Sequence, residues 1–328
     1  MKRLFKLLLL LVVIGAAIAA FMLLVPGGGA SGEKFVLIRP GSSARAIGTQ
    51  LAKEGLIRHR YAFLALHAFK LKNLKAGEYR INAGSENALG IYDRMARGDV
   101  YYHQVVIPEG FNVWDIASTL DASGLCKRDD FLKLAADGTL VRDIAPEAST
   151  LEGYLFPDTY NLSRTQSCSD IAAGMVKRFK QEANALGIKS NVHRTVTMAS
   201  IVEKETRVPE ERPLVAGVFE NRLSKRIPLA TDPTVIYAAL LAGRYDGVIH
   251  QSDLAYDSPY NTYKYAGLPP GPIASPGRTS LEAALRPQQT DYLFFVANNR
   301  GGHNFARTLE DHNRNVTGYR SGQPVPQR

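Results

Sequence analysis

Apolar residues are distributed along this chain in three different patterns. Residues 7–25 carry no charge and are almost all apolar. As a helix they rise about 28 Å, close to the ~30 Å hydrocarbon core of a bilayer. Lys2, Arg3 and Lys6 precede the run, and Gly27-Gly28-Gly29 with Ser31-Gly32 follow it as a flexible exit. Cations stay on the cytoplasmic side of a span, so the N-terminus is predicted inside and the body outside. A cleaved signal peptide is the competing reading, with Ala17-Ile18-Ala19 as its small-x-small site. The apolar run continues through residues 21–25, however, past the ~7–15 residues of a signal core. Either way the body is exported.

The second pattern is a repeat. Residues 36–56 and 105–125 align without gaps: Val36 with Val105, Ile38 with Ile107, Gly41 with Gly110, Ile47 with Ile116, Leu51 with Leu120, Gly55 with Gly124 and Leu56 with Leu125. Each copy predicts a short strand, a Pro/Gly turn and an amphipathic helix ended by glycine. Ala44, Ile47 and Leu51 recur at helical spacing in one copy, and Val113, Ile116 and Leu120 in the other. A weaker third unit runs through Tyr79-Arg80-Ile81, Ala83-Gly84-Ser85, Ile91 and Met95. Such modules resemble LysM domains, which bind glycans containing N-acetylglucosamine. The repeated positions are core and turn positions, so a purely structural duplication fits them equally well.

The third pattern begins near residue 150. The stretch Leu151-Glu152-Gly153-Tyr154-Leu155-Phe156-Pro157-Asp158-Thr159-Tyr160 is dense in aromatics and reads first as a packed domain entrance, second as a wall for stacking sugars. A helix is predicted over 169–185, ended by Gly187. The next starts near Ser190 as N-cap and runs through Met198-Ala199-Ser200-Ile201-Val202-Glu203-Lys204-Glu205-Thr206. Positions i and i+2 lie about 200° apart on a helix, so Glu203 and Glu205 cannot both face one cleft. Ala199 and Ser200 are small enough to admit a second backbone or a ligand. Another amphipathic helix is predicted over 213–225. Pro- and Gly-rich segments around residues 258–277 read as a shaped loop. A buried strand is expected over 292–297, then a turn at Gly301-Gly302 with a partner strand, and a disordered polar tail from residue 318.

Composition narrows the function. The formal net charge of +9 stays positive without the cations beside the apolar run. It suits anionic headgroups or an acidic polymer, and export argues against nucleic acid. Only Cys126 and Cys168 occur. In an exported body they fit a disulfide or two free thiols. They form no CxxC or Cys/His cluster, which argues against a cysteine-based metal site; no metal and no cofactor are expected.

The motifs together resemble the YceG-like family of membrane-anchored endolytic murein transglycosylases. They are Glu152-Gly153 through Phe156-Pro157-Asp158-Thr159, then Ala199 through Thr206, Phe219-Glu220-Asn221-Arg222-Leu223, Thr231-Asp232-Pro233-Thr234-Val235-Ile236-Tyr237, Tyr260-Asn261-Thr262-Tyr263, Gly267-Leu268-Pro269-Pro270-Gly271-Pro272-Ile273 and Gly301-Gly302-His303. The resemblance spans nearly the whole chain. It implies an α+β organisation: cytoplasmic residues 1–6, transmembrane anchor 7–25, linker 26–34, LysM-like domain 35–148, a mixed helical and β catalytic domain 149–317 and tail 318–328. It implies a single-pass protein of the bacterial inner membrane with a periplasmic body. That protein would act on peptidoglycan glycan strands in cell-wall biogenesis, terminating nascent strands beside peptidoglycan synthases and elongation or division proteins.

The implied reaction is cleavage of the β-1,4 bond between N-acetylmuramic acid and N-acetylglucosamine, leaving a 1,6-anhydro-muramyl end. The family's catalytic glutamate falls in Glu203-Lys204-Glu205 and matches Glu205, with Glu203 as the fallback. One carboxyl suffices. An ordinary glycosidase needs two, but here the muramyl C6 hydroxyl is itself the nucleophile. Asn221, Tyr237, Asn261 and Tyr263 are the candidates to hold sugar hydroxyls and N-acetyl groups. Two alternatives remain: a two-carboxylate muramidase using Asp232 or Glu210, and a non-enzymatic wall-binding scaffold.

Overall fold

The computed structural model describes residues 2–322. The protein is α+β, with short two-stranded sheets among 13 α-helices in the described residues. It divides into two compact units, residues 1–104 with 161–167 and residues 105–160 with 168–328. Residues 105–148, expected with the first domain, therefore belong to the second unit, and the two copies of the repeat lie one in each.

In the first unit, α1 (Lys2–Leu24) is the one helix among the described residues long and apolar enough to cross a membrane. A layer of β1 (Gly32–Ile38), α2 (Ala44–Lys53), α3 (Arg60–Lys70), β2 (Gly77–Ala83) and α4 (Ala88–Arg97) follows. Strands β1 and β2 pair antiparallel with Val36 opposite Tyr79. Alternate residues of these strands join Ile47, Leu51, Phe63, Tyr92 and Met95 in one core. Glu78 is buried there, and Arg164 Nη1 and His103 Nε2 each meet one of its oxygens at 2.6 Å. A buried carboxylate requires such partners, and Arg164 is one tie of segment 161–167 to this unit.

Across β3 (His103–Val106) the chain enters the second unit. The repeat holds here at the level of caps. Ser43 caps α2 and Asn112, in the equivalent position, caps α5 (Val113–Ala122) by accepting from the backbone of Trp114 and Asp115. Gly41 and Gly110 have φ of 79° and 77°, a conformation that favours glycine in a tight turn. Next come α6 (Arg128–Ala135), β4 (Thr159–Leu162), α7 (Cys168–Leu186), α8 (Val192–Glu205), α9 (Arg212–Ser224), α10 (Asp232–Leu241), α11 (Gln251–Leu254), α12 (Arg278–Leu285), β5 (Phe294–Ala297), β6 (His303–Ala306) and α13 (Leu309–Ser321). A disulfide joins Cys126 to Cys168.

Helix α8 is the centre of this unit. Thr195 through Val202 are all buried, and α9, α10 and α12 pack against it. Its N-cap position is Asn191 rather than Ser190, with φ of 52° and no side-chain cap bond. Asn tolerates that left-handed geometry better than Ser. The small residues Ala199 and Ser200 do admit a second backbone: Ser200 Oγ accepts from the Ile273 amide at 3.0 Å. His193 bridges the Pro270 carbonyl and the Tyr154 hydroxyl, each at 2.8 Å, so the Pro/Gly loop is fastened along α8. Tyr154 and Phe156 are buried, so the aromatic stretch after residue 150 is core rather than a sugar-stacking wall. Strand β5 is only half-buried along its length, not the buried strand expected over 292–297. A two-stranded hairpin has one face to cover, and α13 packs against it. Helix α13 runs to Ser321, past residue 318 where the tail was expected to begin; residues 323–328 of that tail lie outside the described residues.

Candidate active site

Glu203 and Glu205 occupy opposite sides of the last turn of α8, as helical geometry demands. Glu203 turns inward. Its oxygens accept from Arg212 Nη2 at 2.8 Å and from the Gly277 amide at 2.9 Å. Its side chain is 5% exposed and that of Arg212 7%. The pair therefore clamps α9 and the start of α12 to α8. A Cβ at 277 would push aside the carboxylate of Glu109. Burial, followed by the charge of Glu203, pushes Glu109 above its ordinary range.

Glu205 faces the other way and meets a different set of groups. Thr231 Oγ1 donates to Glu205 Oε1. Burial holds the carboxyl above its ordinary range, and the nearby carboxylate of Asp232 adds to this. The Thr231 bond and the charges of His303 and Arg222 oppose it. Thr231 is itself fixed: its amide donates to Thr262 Oγ1 at 3.1 Å. The preceding Ala230 has a φ of 46°, a left-handed strain outside glycine that turns Thr231 into place. Asp232 opens α10 and accepts from the Tyr263 hydroxyl at 2.6 Å. Among the described residues, Arg222 buries its Nε without a hydrogen-bond partner. Its guanidinium lies 5.5 Å over the Phe294 ring.

Of the four residues expected to hold sugar, Tyr263 alone stands beside Glu205, with 41% of its surface exposed. Asn221 donates to the carbonyls of Thr290 and Tyr292. Asn261 is fully buried, and its amide ties the carbonyls of Asp253, Leu254 and Tyr256; its Oδ1 accepts from the Tyr263 amide. It thus shapes the loop that carries Tyr263. The Tyr237 hydroxyl donates to Glu152 Oε2 at 3.2 Å, and its ring packs between Trp114 and Tyr260. Thr231 and Arg222, which stand near Glu205, were not singled out from the sequence. Each sits in a quoted motif, but nothing in its spacing sets it apart from a surface residue.

Glu152 is a second unusual carboxyl. It is 2% exposed, takes the Val113 amide at 3.1 Å and leaves Oε1 without a partner. Burial pushes it up to about 8. A carboxyl that holds its proton more tightly folded than unfolded stabilises the fold at low pH. That contribution fades as pH rises from about 4.5 to about 8, at ~1.4 kcal/mol per pH unit. Glu152→Gln is expected to keep both acceptor contacts and flatten this slope. Urea denaturation across the window measures it, and an unchanged slope refutes the assignment.

Comparison with known proteins places this geometry. A sequence profile described as the YceG-like family matches residues 36–318. A protein of Bacillus subtilis (strain 168) named endolytic murein transglycosylase is 38% identical over 299 residues, covering 84% of this chain and 82% of that protein. A Streptococcus pneumoniae serotype 2 (strain D39) protein of the same name is 32% identical over 324 residues; the match covers 88% of this chain but only 59% of that longer protein. Among solved structures, a YceG-like protein from Listeria monocytogenes superposes with a TM-score of 0.56 at 36% identity, over 87% of this chain and 99% of that one.

Proposed function

We infer, because this chain belongs to the YceG-like family, that it is an endolytic murein transglycosylase. It cleaves the bond between N-acetylmuramic acid and N-acetylglucosamine and leaves a 1,6-anhydro-muramyl end. The observation that carries this reading is the environment of Glu205: a desolvated carboxyl with raised affinity for its proton, at the end of a rigid helix. A general acid needs that property near neutral pH. Glu205 protonates the glycosidic oxygen, the C6 hydroxyl closes on C1, and the Glu205 carboxylate ends the turnover holding the C6 proton. Glu203 is committed to Arg212 and Gly277, which supports Glu205 over Glu203. Tyr263 is the candidate sugar contact.

Residues 7–25 anchor the protein in the inner membrane with the body periplasmic; the length and apolarity of α1 support this. The layer of β1, α2, α3 and β2 serves as a LysM-like module that holds glycan. Position in the membrane puts the enzyme beside peptidoglycan synthases and elongation or division proteins, where it terminates new strands. The test is digestion of purified sacculi by the full chain: anhydro-muropeptides are expected, and their absence sinks the reading.

The carboxylate of Asp232 next to Glu205 favours one second reading, a two-carboxylate muramidase. That enzyme would release reducing muramyl ends instead. The two readings also separate at Asp232→Asn. In a transglycosylase, loss of this negative charge lowers the proton affinity of Glu205, so the alkaline limb of the pH–rate profile moves to lower pH while anhydro ends persist. In a muramidase the variant is inactive.

A further inference from the structure

The first residue of β6 is a histidine gripped from two sides. Glu211 Oε1 accepts the His303 backbone N–H at 2.9 Å, and Glu211 Oε2 meets His303 Nδ1 at 2.6 Å. Thr206, the residue directly after Glu205, donates its hydroxyl to the same Oε2 at 3.3 Å. Gly302 makes the grip possible, since a Cβ there would strike Glu211 Oε1. The imidazole is only 13% exposed and lies edge-on to Phe295 at 5.4 Å.

An ionised carboxylate only accepts, so Glu211 fixes the proton on Nδ1. In the neutral imidazole Nε2 is then a lone-pair acceptor. No described residue hydrogen-bonds Nε2. A histidine held this firmly through one nitrogen and left open at the other is the arrangement by which carboxylates orient catalytic histidines. His303 also stands close enough to Glu205 for its charge to act on that carboxyl.

We propose that His303 is a second catalytic residue, whose Nε2 takes the proton from the muramyl C6 hydroxyl and passes it to Glu205. This rests on the transglycosylase reading and adds the route by which the proton travels. Glu205 donates its proton to the glycosidic oxygen, and the C1–O bond breaks with its electron pair on that oxygen. A lone pair of the C6 oxygen forms the new bond to C1, while the C6 proton moves to Nε2. The imidazolium, stabilised by Glu211, returns that proton to the Glu205 carboxylate. No atom or electron is gained or lost by the enzyme over the cycle. The charged groups around this route are Glu211 from the turn before α9, Arg222 from α9 and Asp232 from α10, with the neutral phenol of Tyr263 from its loop.

The test uses the full chain in detergent on intact sacculi. His303→Gln is expected to bind sacculi as wild type does and to release anhydro-muropeptides ~10²–10⁴-fold more slowly. Added imidazole should restore part of the rate. A rate near wild type overturns the proposal. If circular dichroism shows His303→Gln unfolded, Glu211→Gln decides. Gln can turn its amide N–H toward Nδ1 and lose the grip that orients the ring, so release must fall ~10-fold or more with sacculus binding kept, and a wild-type rate overturns the relay. A dead Glu205→Gln beside a fully active His303→Gln rejects the relay alone; a wild type that makes no anhydro ends rejects the underlying function.

Discussion

Glu205→Gln is expected to cut anhydro-muropeptide release from sacculi by ~10²–10⁴-fold, the range for loss of a positioned general acid. Binding to sacculi should remain. Gln keeps an oxygen for Thr231 Oγ1 to donate to, so the fold around Thr231 and Ala230 is preserved and the loss reads out chemistry. The raised proton affinity of Glu205 gives a companion signature: the wild-type rate declines as pH rises and the carboxyl ionises before it can donate. A Glu205→Gln protein that still made anhydro ends at the wild-type rate would move the acid elsewhere, with Glu203 first in line.

Arg212→Ala is expected to cost stability instead, by about 3–5 kcal/mol. Arg212 is 6% exposed and is the side-chain partner of Glu203, with Thr279 and Glu109 around it. Truncation leaves a desolvated carboxylate with only the Gly277 amide. The double change Glu203→Leu with Arg212→Met removes both charges and should recover much of the loss, because an apolar pair has no desolvation penalty to offset. Urea denaturation of the single and double variants checks this. A single variant as stable as wild type would mean that Glu203 is already neutral or hydrated.

Much of this was legible in the sequence for physical reasons. The apolar run of residues 7–25 needs no partner to be read as a long helix, since its length and composition suffice. The repeat was legible down to its turns, because glycine at 41 and 110 is dictated by backbone conformation and not by distant neighbours. The divergence of Glu203 and Glu205 followed from helix geometry alone. The surroundings of Glu205 did not. Arg222, Thr231, Glu211 and His303 come from α9, the turn before α10, the turn before α9 and the last hairpin, and only tertiary packing brings their side chains together. For the same reason the hydrogen bonds that Asn221, Tyr237 and Asn261 make within the fold were not legible. A polar residue in a motif gives no local sign of whether its amide faces a cleft or a neighbouring carbonyl. The division at residue 104, with its return at 161–167, was equally hidden, because Arg164 joins its unit through one buried carboxylate.

The disulfide has a topological consequence. Cys126 and Cys168 lie 42 residues apart, and the loop they close contains the segment 161–167 that the chain lends to its first unit. Cys168 is the residue at which the chain comes back. The bond therefore turns an open detour into a closed ring whose two ends are both held in the second unit. A reducing compartment leaves that ring open, and a thiol-oxidising one shuts it. The redox state of one cysteine pair thus records the kind of compartment in which the chain has folded.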